Sequence, residues 1–418
     1  MATVADVESA LRRSDDHSDL VLKWQGPTLA SGYSGVALLH LYVARAATDP
    51  HQQSLSRSRA FEFIGKAVRE TDGTPIGPGL WVGSCGLALA LADCRRDESR
   101  FAPALARLHA QVADQVLATR WPREPGKVAA SHLDLIGGAA GALVHLCTIE
   151  DPSPAVRAAA EYARDYLLWM SGAEQGGGPP WRWLISPQNY ALGGSFISRE
   201  TLPYGYLDVG VAHGAAGVLT ALAAAWRAGY RCRGQLDVIA RLTSWLLEVR
   251  DLFDHEGTWP AFVSVSESGA QGTGIGGGQL EWCYGSTGIA AAMLRASEVT
   301  DDDILGRTAL DAFDVALRLS RESEDSLSLC HGLAGLVAGC REFADAGSET
   351  AREALPRLFD RLLGCADTEL PFVYHDPASP GGAACDLMLL NGAPGMALAL
   401  LAAVDGTRPT WFSALFGR

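Results

Sequence analysis

The sequence predicts an all-α protein, an α/α toroid of seven inner and seven outer helices with a small irregular or β-containing excursion. Three observations predict it: a recurring Gly-x-x-Gly motif, an apolar segment after each copy, and amphipathic segments between the copies. A segment that is apolar on every face indicates a buried helix, whereas a polar face indicates a helix half in water. A ring of buried helices inside a second helical layer is the simplest packing of this alternation.

Seven copies of the Gly-x-x-Gly motif each open a segment rich in Ala, Leu and Val. With 46 Gly in 418 residues, roughly five such pairs are expected by chance, so the pairs alone prove little. The spacing is stronger evidence, because successive copies lie 47 to 76 residues apart, which leaves room for a helical hairpin and its loops. The copies are Gly32/Gly35, Gly83/Gly86, Gly138/Gly141, Gly214/Gly217, Gly285/Gly288, Gly332/Gly335 and Gly392/Gly395.

Two segments illustrate the two kinds of helix. The segment VLTALAAAW, after the fourth motif, is apolar on every face and predicts an inner helix. In RTALDAFDVALRL, Leu310, Phe313 and Leu317 share one face while Asp311 and Asp314 take the other. This second pattern predicts a helix of the outer layer.

We expect one domain over residues 1–418, with residues 171–206 as an inserted loop or small β excursion. This stretch is too rich in Gly and Pro for a helix, and the best strand patterns of the chain are SFISRE and AFVSVSES. Aromatic residues in the stretch predict either a plain surface loop or a surface that grips a peptide. They are Trp181, Trp183, Tyr190 and Phe196.

Composition and charge narrow the function classes. Hydrophobic residues make up 48% of the chain, enough for a large core. The formal charge of -14 argues against nucleic acid or a membrane surface as the principal partner. No basic head with an apolar core stands at the start, and no apolar run reaches the roughly 18 residues of a membrane span. We therefore expect a cytoplasmic protein without membrane insertion.

The residues just before each motif occupy equivalent positions in successive repeats, which we call the same phase of the repeat. If the inner helices run parallel, their first turns converge at one mouth of the ring, and these residues face a common cavity. Before the first two motifs they are Ser31 and Val82, which carry little chemistry, whereas His213 precedes the fourth. The chemistry is concentrated on neighbouring helices in the second half of the chain.

Cysteine and histidine precede the fifth and sixth motifs. Cys283 and Cys330 each stand two residues before the Gly, and His331 follows Cys330. The shared phase predicts that two sulfurs and one imidazole approach each other, a ligand set that suits zinc. Three protein ligands leave the fourth position open, as in catalytic zinc sites. A thiol that enters this position would lose its proton and remain nucleophilic, so the pattern predicts thiol activation.

The alternative for these cysteines is that they are small buried hydrophobes, as free Cys usually is. The shared phase of Cys283, Cys330 and His331 favours metal binding for them. We expect ordinary burial for the other seven cysteines. They are Cys85, Cys94, Cys147, Cys232, Cys340, Cys365 and Cys385.

Five segments in order, LDLIGGAAG, VAHGAAG, WCYGSTG, CHGLAG and NGAPG, resemble the lanthionine synthetase C-like family, the cyclases that make lanthipeptides. The resemblance implies an α/α toroid that holds Zn²⁺ through Cys283, Cys330 and His331. Its substrate would be a precursor peptide, leader plus core, whose Ser and Thr a partner dehydratase has dehydrated. Peptide Cys thiols would add to dehydroalanine and dehydrobutyrine and close (methyl)lanthionine rings. A transporter is a further implied partner, and the first motif at Gly32 predicts a freestanding cyclase.

The resemblance also places His213 and Asp134 at acid/base positions and Tyr284 at the Tyr of the WCYG motif. Michael addition takes a proton from the thiol and delivers one to the enolate carbon, which a His of near-neutral pKa can do. Each residue has a simpler interpretation. Asp134 could be a carboxylate at a helix N-terminus, His213 a core histidine and Tyr284 a packing aromatic.

One position departs from the family pattern. Members often carry Arg four residues before the first zinc Cys, and here Gln279 stands there. Gln can donate a hydrogen bond but cannot supply a fixed positive charge to an enolate or a carboxylate. Arg182 or Arg199 could substitute only if the loops bring them in.

Three other functions stay open at this point. A glycosidase on a similar ring would use a carboxylate pair, Asp134 with Asp208 or Glu281, and would not need the Cys and His residues. A zinc enzyme could instead add glutathione or another small thiol to dehydroamino acids in proteins. The zinc could also be structural in a non-catalytic scaffold for a dehydratase, in which case Cys330→Ala should unfold the protein.

Overall fold

In the computed structural model the described residues are 24–71, 76–172, 182–190, 197–252, 257–277, 280–320, 326–370, 372–374 and 387–418. Within these ranges the chain is mostly helical, with one small sheet. The α-helices are α1 (Tyr33–Ala46), α2 (Pro50–Glu70), α3 (Ser84–Asp97), α4 (Ala102–Ala118), α5 (Ala130–Leu133), α6 (Ala139–Leu146), α7 (Pro154–Met170), α8 (Ala215–Arg227), α9 (Gln235–Leu252), α10 (Ser286–Thr300), α11 (Asp303–Leu319), α12 (Leu333–Asp345), α13 (Glu349–Gly364), α14 (Ala393–Val404) and α15 (Phe412–Phe416).

Each of the seven Gly-x-x-Gly copies given above opens a helix, whereas the two further pairs, Gly269/Gly272 and Gly274/Gly277, fall at or in a strand. The first Gly of each motif is the N-cap, and the helices that follow are α1, α3, α6, α8, α10, α12 and α14. In α8 all residues from Ala215 to Ala225 are buried, as the segment VLTALAAAW predicted. The prediction that a buried helix follows each of the seven motifs is therefore confirmed.

Close packing, and not an unusual backbone angle, explains the second Gly of the motif. A Cβ on Gly288 would collide with the carbonyl oxygen of Trp282 and lie 2.5 Å from Cγ1 of Val211, which belongs to the loop before the preceding motif. On Gly141 it would collide with the oxygen of Leu135 and lie 2.8 Å from Cβ of Leu80. Only Gly lets these backbones approach so closely.

Long amphipathic helices alternate with the Gly-capped ones. They are α2, α4, α7, α9, α11 and α13. Helix α11 buries Phe313 and Leu317 and exposes Asp311, while Leu310 is half-buried. Helix α7 begins with Ser153 as an N-cap that accepts a hydrogen bond from the Val156 N–H, a common start signal. The predicted outer pattern is thus observed, with six of the seven expected outer helices in the described ranges.

The chain divides into two compact units. In the first unit, α1 packs against α2, α3 and α14, and α12 packs against α13 and α14. In the second unit, α8 packs against α6 and α10, and the short C-terminal helix α15 packs against the same two helices. Each unit therefore has its own core of Gly-capped helices.

A three-stranded antiparallel sheet belongs to the second unit. Its strands, in sheet order, are β1 (Tyr206–Asp208), β2 (Pro260–Val265) and β3 (Gln271–Gly277). In the register Asp208 stands opposite Phe262, and Ile185 forms an isolated bridge with Tyr206. The sheet thus joins the described part of the predicted excursion, through Ile185, to the strand that ends at Asp208.

The two predicted strand patterns have different outcomes. The segment AFVSVSES is confirmed as strand over its first five residues, which lie in β2. Of SFISRE, residues 195 and 196 lie outside the described residues, and 197–200 are not strand. There the Ser198 hydroxyl accepts a hydrogen bond from the Thr201 N–H, and this local turn competes with strand pairing.

Among the described residues, no helix combines the length and the apolar character that a membrane crossing requires. A single domain over residues 1–418 with an insertion at 171–206 stays a prediction.

Candidate active site

Backbone hydrogen bonds fix the pre-motif loops, the short segments directly before each Gly-x-x-Gly. In the second unit the Leu135 N–H donates to the Ala212 oxygen at 2.9 Å, and the Ala212 N–H donates to the Cys283 oxygen at 3.1 Å. Asp134, His213 and Cys283 therefore stand on three loops that are joined in series. The main chain therefore sets the spacing of these three residues.

The first unit holds Cys330 in the same way. Its N–H donates to the Leu390 oxygen at 2.9 Å, and the next N–H, of His331, donates to the Ser328 hydroxyl at 3.2 Å. The loop before α1 shows the same pattern, because the Ala30 N–H donates to the Trp81 oxygen at 2.8 Å. The residue two positions before the first Gly therefore makes a backbone hydrogen bond to a neighbouring pre-motif loop in each of these copies.

Cys283, Cys330 and His331 form a group that could hold a metal ion, each side chain offering one ligand atom. Cys283 is buried, Cys330 is half-buried and His331 is exposed. The donor set fits zinc, which prefers thiolate sulfur and imidazole nitrogen and tolerates three protein ligands when one position stays open. Beside it, the Cys283 thiol lies 3.7 Å from Oε2 of Glu281.

Asp134 and His213 form a hydrogen-bonded pair. Oδ2 of Asp134 lies 2.8 Å from Nδ1 of His213, and Oδ1 accepts hydrogen bonds from the N–H groups of Gly137 and Gly138, each at 2.7 Å. Asp134 is therefore both a carboxylate at the start of α6 and a partner of His213. With Nδ1 engaged and 34% of the side chain exposed, Nε2 is the nitrogen that can reach a substrate.

The carboxylates around His213 control its proton. Burial alone would lower the pKa of His213, but the hydrogen bond to Asp134 and the charges of Asp134 and Asp208 outweigh burial and raise this pKa above its ordinary value. Burial raises the pKa of Asp208 to about 7, partly offset by the charge of His213 and the hydrogen bond from Gly210. The ring therefore keeps its proton to a higher pH than a free imidazole does.

Tyr284 contacts the His213 ring. The two ring centroids lie 5.8 Å apart, and on its other contact Tyr284 meets Phe262 of β2 edge-on at 5.2 Å. Phe262 meets Tyr206 of β1 in the same edge-on manner at 5.1 Å. The packing interpretation of Tyr284 is therefore observed, and its catalytic role stays a prediction.

Several predicted residues lie outside the described ranges or away from this pair. Gln279, Trp181 and Phe196 are outside the described residues. Arg182 donates to the Trp169 oxygen at 3.0 Å, and Arg199 donates to the Pro187 oxygen at 3.3 Å. These contacts commit both guanidinium groups to the chain around residues 169–187.

The two described aromatics of the predicted excursion pack inward. Trp183 is buried and its ring lies 5.1 Å from that of Trp245. Tyr190 is half-buried, and its hydroxyl donates to the Leu202 oxygen at 2.5 Å. These contacts are structural, so a grip on a peptide by these two side chains is not what the described packing favours.

The other cysteines mostly follow the expectation of burial. Cys85, Cys94 and Cys340 are buried, and Cys147 and Cys232 are half-buried. The expectation is wrong for Cys365, which is exposed because it follows the last turn of α13 on the solvent side, where its thiol donates to the Arg361 oxygen at 3.3 Å. Cys385 lies outside the described residues.

Sequence reasoning gave Asp208 only to a rival glycosidase pair and missed its place beside His213. Asp208 ends β1, and a Cβ on Gly214, the residue after His213, would collide with its carboxylate. The only signal in the sequence is the segment LDVGVAHG, in which a carboxylate stands five residues before the His. A turn of unknown geometry separates the two, so spacing alone could not show the approach.

The comparison with known protein families gives the class. The pattern of the lanthionine synthetase C-like protein family matches residues 23–416, and the chain belongs to this family. One relative is the nisin biosynthesis protein NisC of Lactococcus lactis subsp. lactis, 24% identical over 279 residues, which are 63% of this chain and 62% of that protein. The match thus spans less than two thirds of the relative's length.

A solved structure of a nisin cyclase is similar to this chain, with a TM-score of 0.77 and 20% sequence identity. The alignment covers 99% of this chain and 97% of that one. This likeness shows the fold and confirms the predicted α/α toroid. Family membership also sets aside the glycosidase alternative that the carboxylates had left open.

Proposed function

We propose that this protein is a zinc-dependent lanthipeptide cyclase. It adds Cys thiols of a dehydrated precursor peptide to dehydroalanine and dehydrobutyrine and so closes (methyl)lanthionine rings. The observation that carries the proposal is the group of Cys283, Cys330 and His331, which could hold a metal ion in a member of the lanthionine synthetase C-like family. The relatives named for nisin biosynthesis and nisin cyclisation support the choice of reaction.

Zinc would be held by the two thiolates and the imidazole of this group. When bound, it lowers the pKa of a substrate thiol at the open position, so that the thiol reacts as a thiolate. The protein's own contribution is to present two sulfurs and one nitrogen from backbone-fixed loops. Metal binding requires both Cys to be deprotonated and His331 to be neutral, so it weakens as the pH falls.

His213 handles the protons of the addition. The peptide sulfur forms a bond to the β-carbon of the dehydroamino acid, and the alkene electron pair moves onto the adjacent amide as an enolate. Nε2 of a protonated His213 then gives its proton to the α-carbon, and the proton released by the next thiol restores it. Asp134 holds Nδ1–H at 2.8 Å and so keeps Nε2 directed at the substrate.

The proposal includes the biological setting. The precursor peptide arrives from a separate dehydratase, and a transporter exports the product. We place the reaction in the cytoplasm.

The test has two stages. Elemental analysis of the purified protein should find one zinc per chain. Incubation with a dehydrated, Cys-containing peptide should then consume free thiol, with the mass of the peptide unchanged because the addition is an isomerisation. Protein without zinc, or zinc-loaded protein that consumes no thiol, would contradict the proposal.

Glutathione serves as the competitor that separates the main alternative. A cyclase should close rings at the same rate in the presence of excess glutathione, because the peptide thiol is intramolecular and has a high effective concentration. An enzyme that attaches small thiols would instead give peptide heavier by the mass of glutathione.

A further inference from the structure

Asp208 is a buried carboxylate beside the acid/base pair. It is the last residue of β1 and only 6% of it is exposed. Its Oδ1 accepts a hydrogen bond from the Gly210 N–H at 3.0 Å. The carboxylate lies directly against Gly214, the N-cap of α8 and the residue that follows His213. A carboxylate so far from water needs a positive neighbour to stay ionised.

The small sheet fixes this placement. Asp208 stands opposite Phe262 in the register of β1 and β2, and Phe262 packs on Tyr284, which contacts the His213 ring. The Val209 N–H donates to the Ala261 oxygen at 3.1 Å and extends the pairing past the end of β1. The strand therefore places its last side chain against Gly214, the residue after His213, and the sheet fixes that placement.

Among the described residues, three titratable groups act on or contact the His213 ring: Asp134 from the loop before α6, Asp208 from β1 and Tyr284 from the loop before α10. Asp134 is already committed, since its Oδ1 accepts two backbone N–H groups and its Oδ2 binds Nδ1. Asp208 makes one backbone hydrogen bond and has no described side-chain partner. Its charge, like that of Asp134, favours a protonated His213.

We propose that Asp208 is a positioning residue of the acid/base site, the second carboxylate beside Asp134 that keeps the His213 ring protonated until the ring delivers its proton. The proposal rests on the proposed cyclase function, because it assigns a task within that reaction. It also gives the β-containing part of the chain a role, since the strand that carries Asp208 belongs to it.

The sign of the pH dependence follows from the two groups. Above a pH of about 7 Asp208 is ionised, and its charge holds the proton on His213 to a higher pH. With Asn at position 208 this charge is absent, so His213 loses its proton at a lower pH. If the protonated ring is the donor, the alkaline limb of ring closure moves to lower pH by the same amount.

The experiment compares zinc-loaded wild type with Asp208→Asn. Asn keeps an oxygen that can accept the Gly210 N–H, so the substitution removes the charge and leaves the turn. NMR titration of the His213 ring should show its pKa lowered by about 1 unit. The alkaline limb of the pH profile of ring closure should move to lower pH by the same amount. Asp237→Asn, on the exposed first turn of α9 in the same unit, changes the net charge equally and should shift neither.

The outcomes separate the two proposals. A folded Asp208→Asn variant whose His213 titrates as in wild type overturns the assignment of Asp208. A shifted His213 in a protein that closes no rings, even as wild type, leaves the effect of Asp208 on the His213 proton standing and removes the cyclase. If Asp208→Asn does not fold, carboxyl NMR of the wild type decides, because the Asp208 carboxyl signal must respond to the titration of His213 or the assignment is wrong.

Discussion

The loops before α1 and α8 have the same backbone design and opposite chemistry. Each ends in a Gly N-cap with an extended backbone, Gly32 in one and Gly214 in the other. The preceding residue differs. Ser31 is 2% exposed and lies near the Thr28 hydroxyl, whereas His213 keeps 34% of its side chain exposed and binds Asp134. The Ser31 side chain is thus enclosed within its loop, whereas the His213 side chain is accessible from solvent.

The repeat therefore fixes where the backbone of each loop lies, and the individual side chain at that position determines the chemistry. The backbone bonds that hold Ala30 and Ala212, each two residues before the Gly, are alike in kind and length. Substitution of the reactive side chains should therefore remove chemistry without harm to the fold, and substitution of the motif glycines should do the reverse.

The largest effect is expected from loss of a metal ligand. Cys330→Ala should lose zinc and lower the rate of ring closure by more than about 100-fold, because one sulfur of the ligand set is gone. The protein should stay folded, since Cys330 is only half-buried and its backbone hydrogen bond to Leu390 survives the change. Elemental analysis, circular dichroism and the thiol assay measure the three quantities.

Cys365→Ala is the matched control, because this thiol is exposed and lies in the same unit. It should keep both zinc and activity. If Cys330→Ala unfolds while Cys365→Ala stays folded, the result would favour the structural-zinc scaffold. It would also contradict the expectation that reactive side chains can be replaced without harm to the fold.

The next effect compares the two loops directly. His213→Ala should lower ring closure by about 10²- to 10⁴-fold, the usual range for loss of a general acid or base. Zinc content should not change. Ser31→Ala stands one residue before the Gly in the quiet loop and should leave the rate at the wild-type level. A similar rate for both variants would show that the pre-motif position carries no chemistry.

The motif glycines should affect stability and not chemistry. In Gly288→Ala the new methyl group would collide with the Trp282 oxygen and lie 2.5 Å from Val211, so we expect a loss of about 1–3 kcal/mol in the free energy of unfolding. Gly364→Ala, at the end of α13 with open space around it, should be neutral or stabilising by less than about 1 kcal/mol. Urea denaturation measures both.

Gly35→Ala extends this test to the quiet loop, where the methyl group would lie 2.5 Å from the Leu29 oxygen. It should cost about as much as Gly288→Ala, because the repeat imposes the same close approach in both places. A tolerated Gly35→Ala would mean that the quiet loops are built more loosely than the reactive ones.

The sequence predicted most of the fold because the fold is periodic. Gly-x-x-Gly marks the start of a helix at each of the seven copies that precede an apolar segment, and VLTALAAAW is buried up to Ala225 as its pattern indicates. Periodicity carries no information where the chain leaves the repeat. SFISRE has the composition of a strand, yet a bond between Ser198 and Thr201 makes its described part a turn. Local side-chain competition decides there.

The candidate site was predictable for the same reason and to the same limit. Cys283, Cys330 and His331 were found by phase, and phase is what the backbone bonds preserve. The role of Asp208 was not, because it depends on how a strand and a turn bring a carboxylate back against Gly214. The protonation of His213 depends in turn on that approach, so the spacing of residues in the sequence could not predict it.

The smallest effect is expected at Tyr284. Tyr284→Phe keeps the ring that packs on Phe262 and His213 and removes only the hydroxyl, so ring closure should slow by about tenfold or less, the worth of one hydrogen bond. Tyr284→Ala removes the ring as well and should cost more, because the edge-on pair with Phe262 is lost. A 100-fold slower Phe variant with normal zinc would instead give the hydroxyl a direct part in proton transfer.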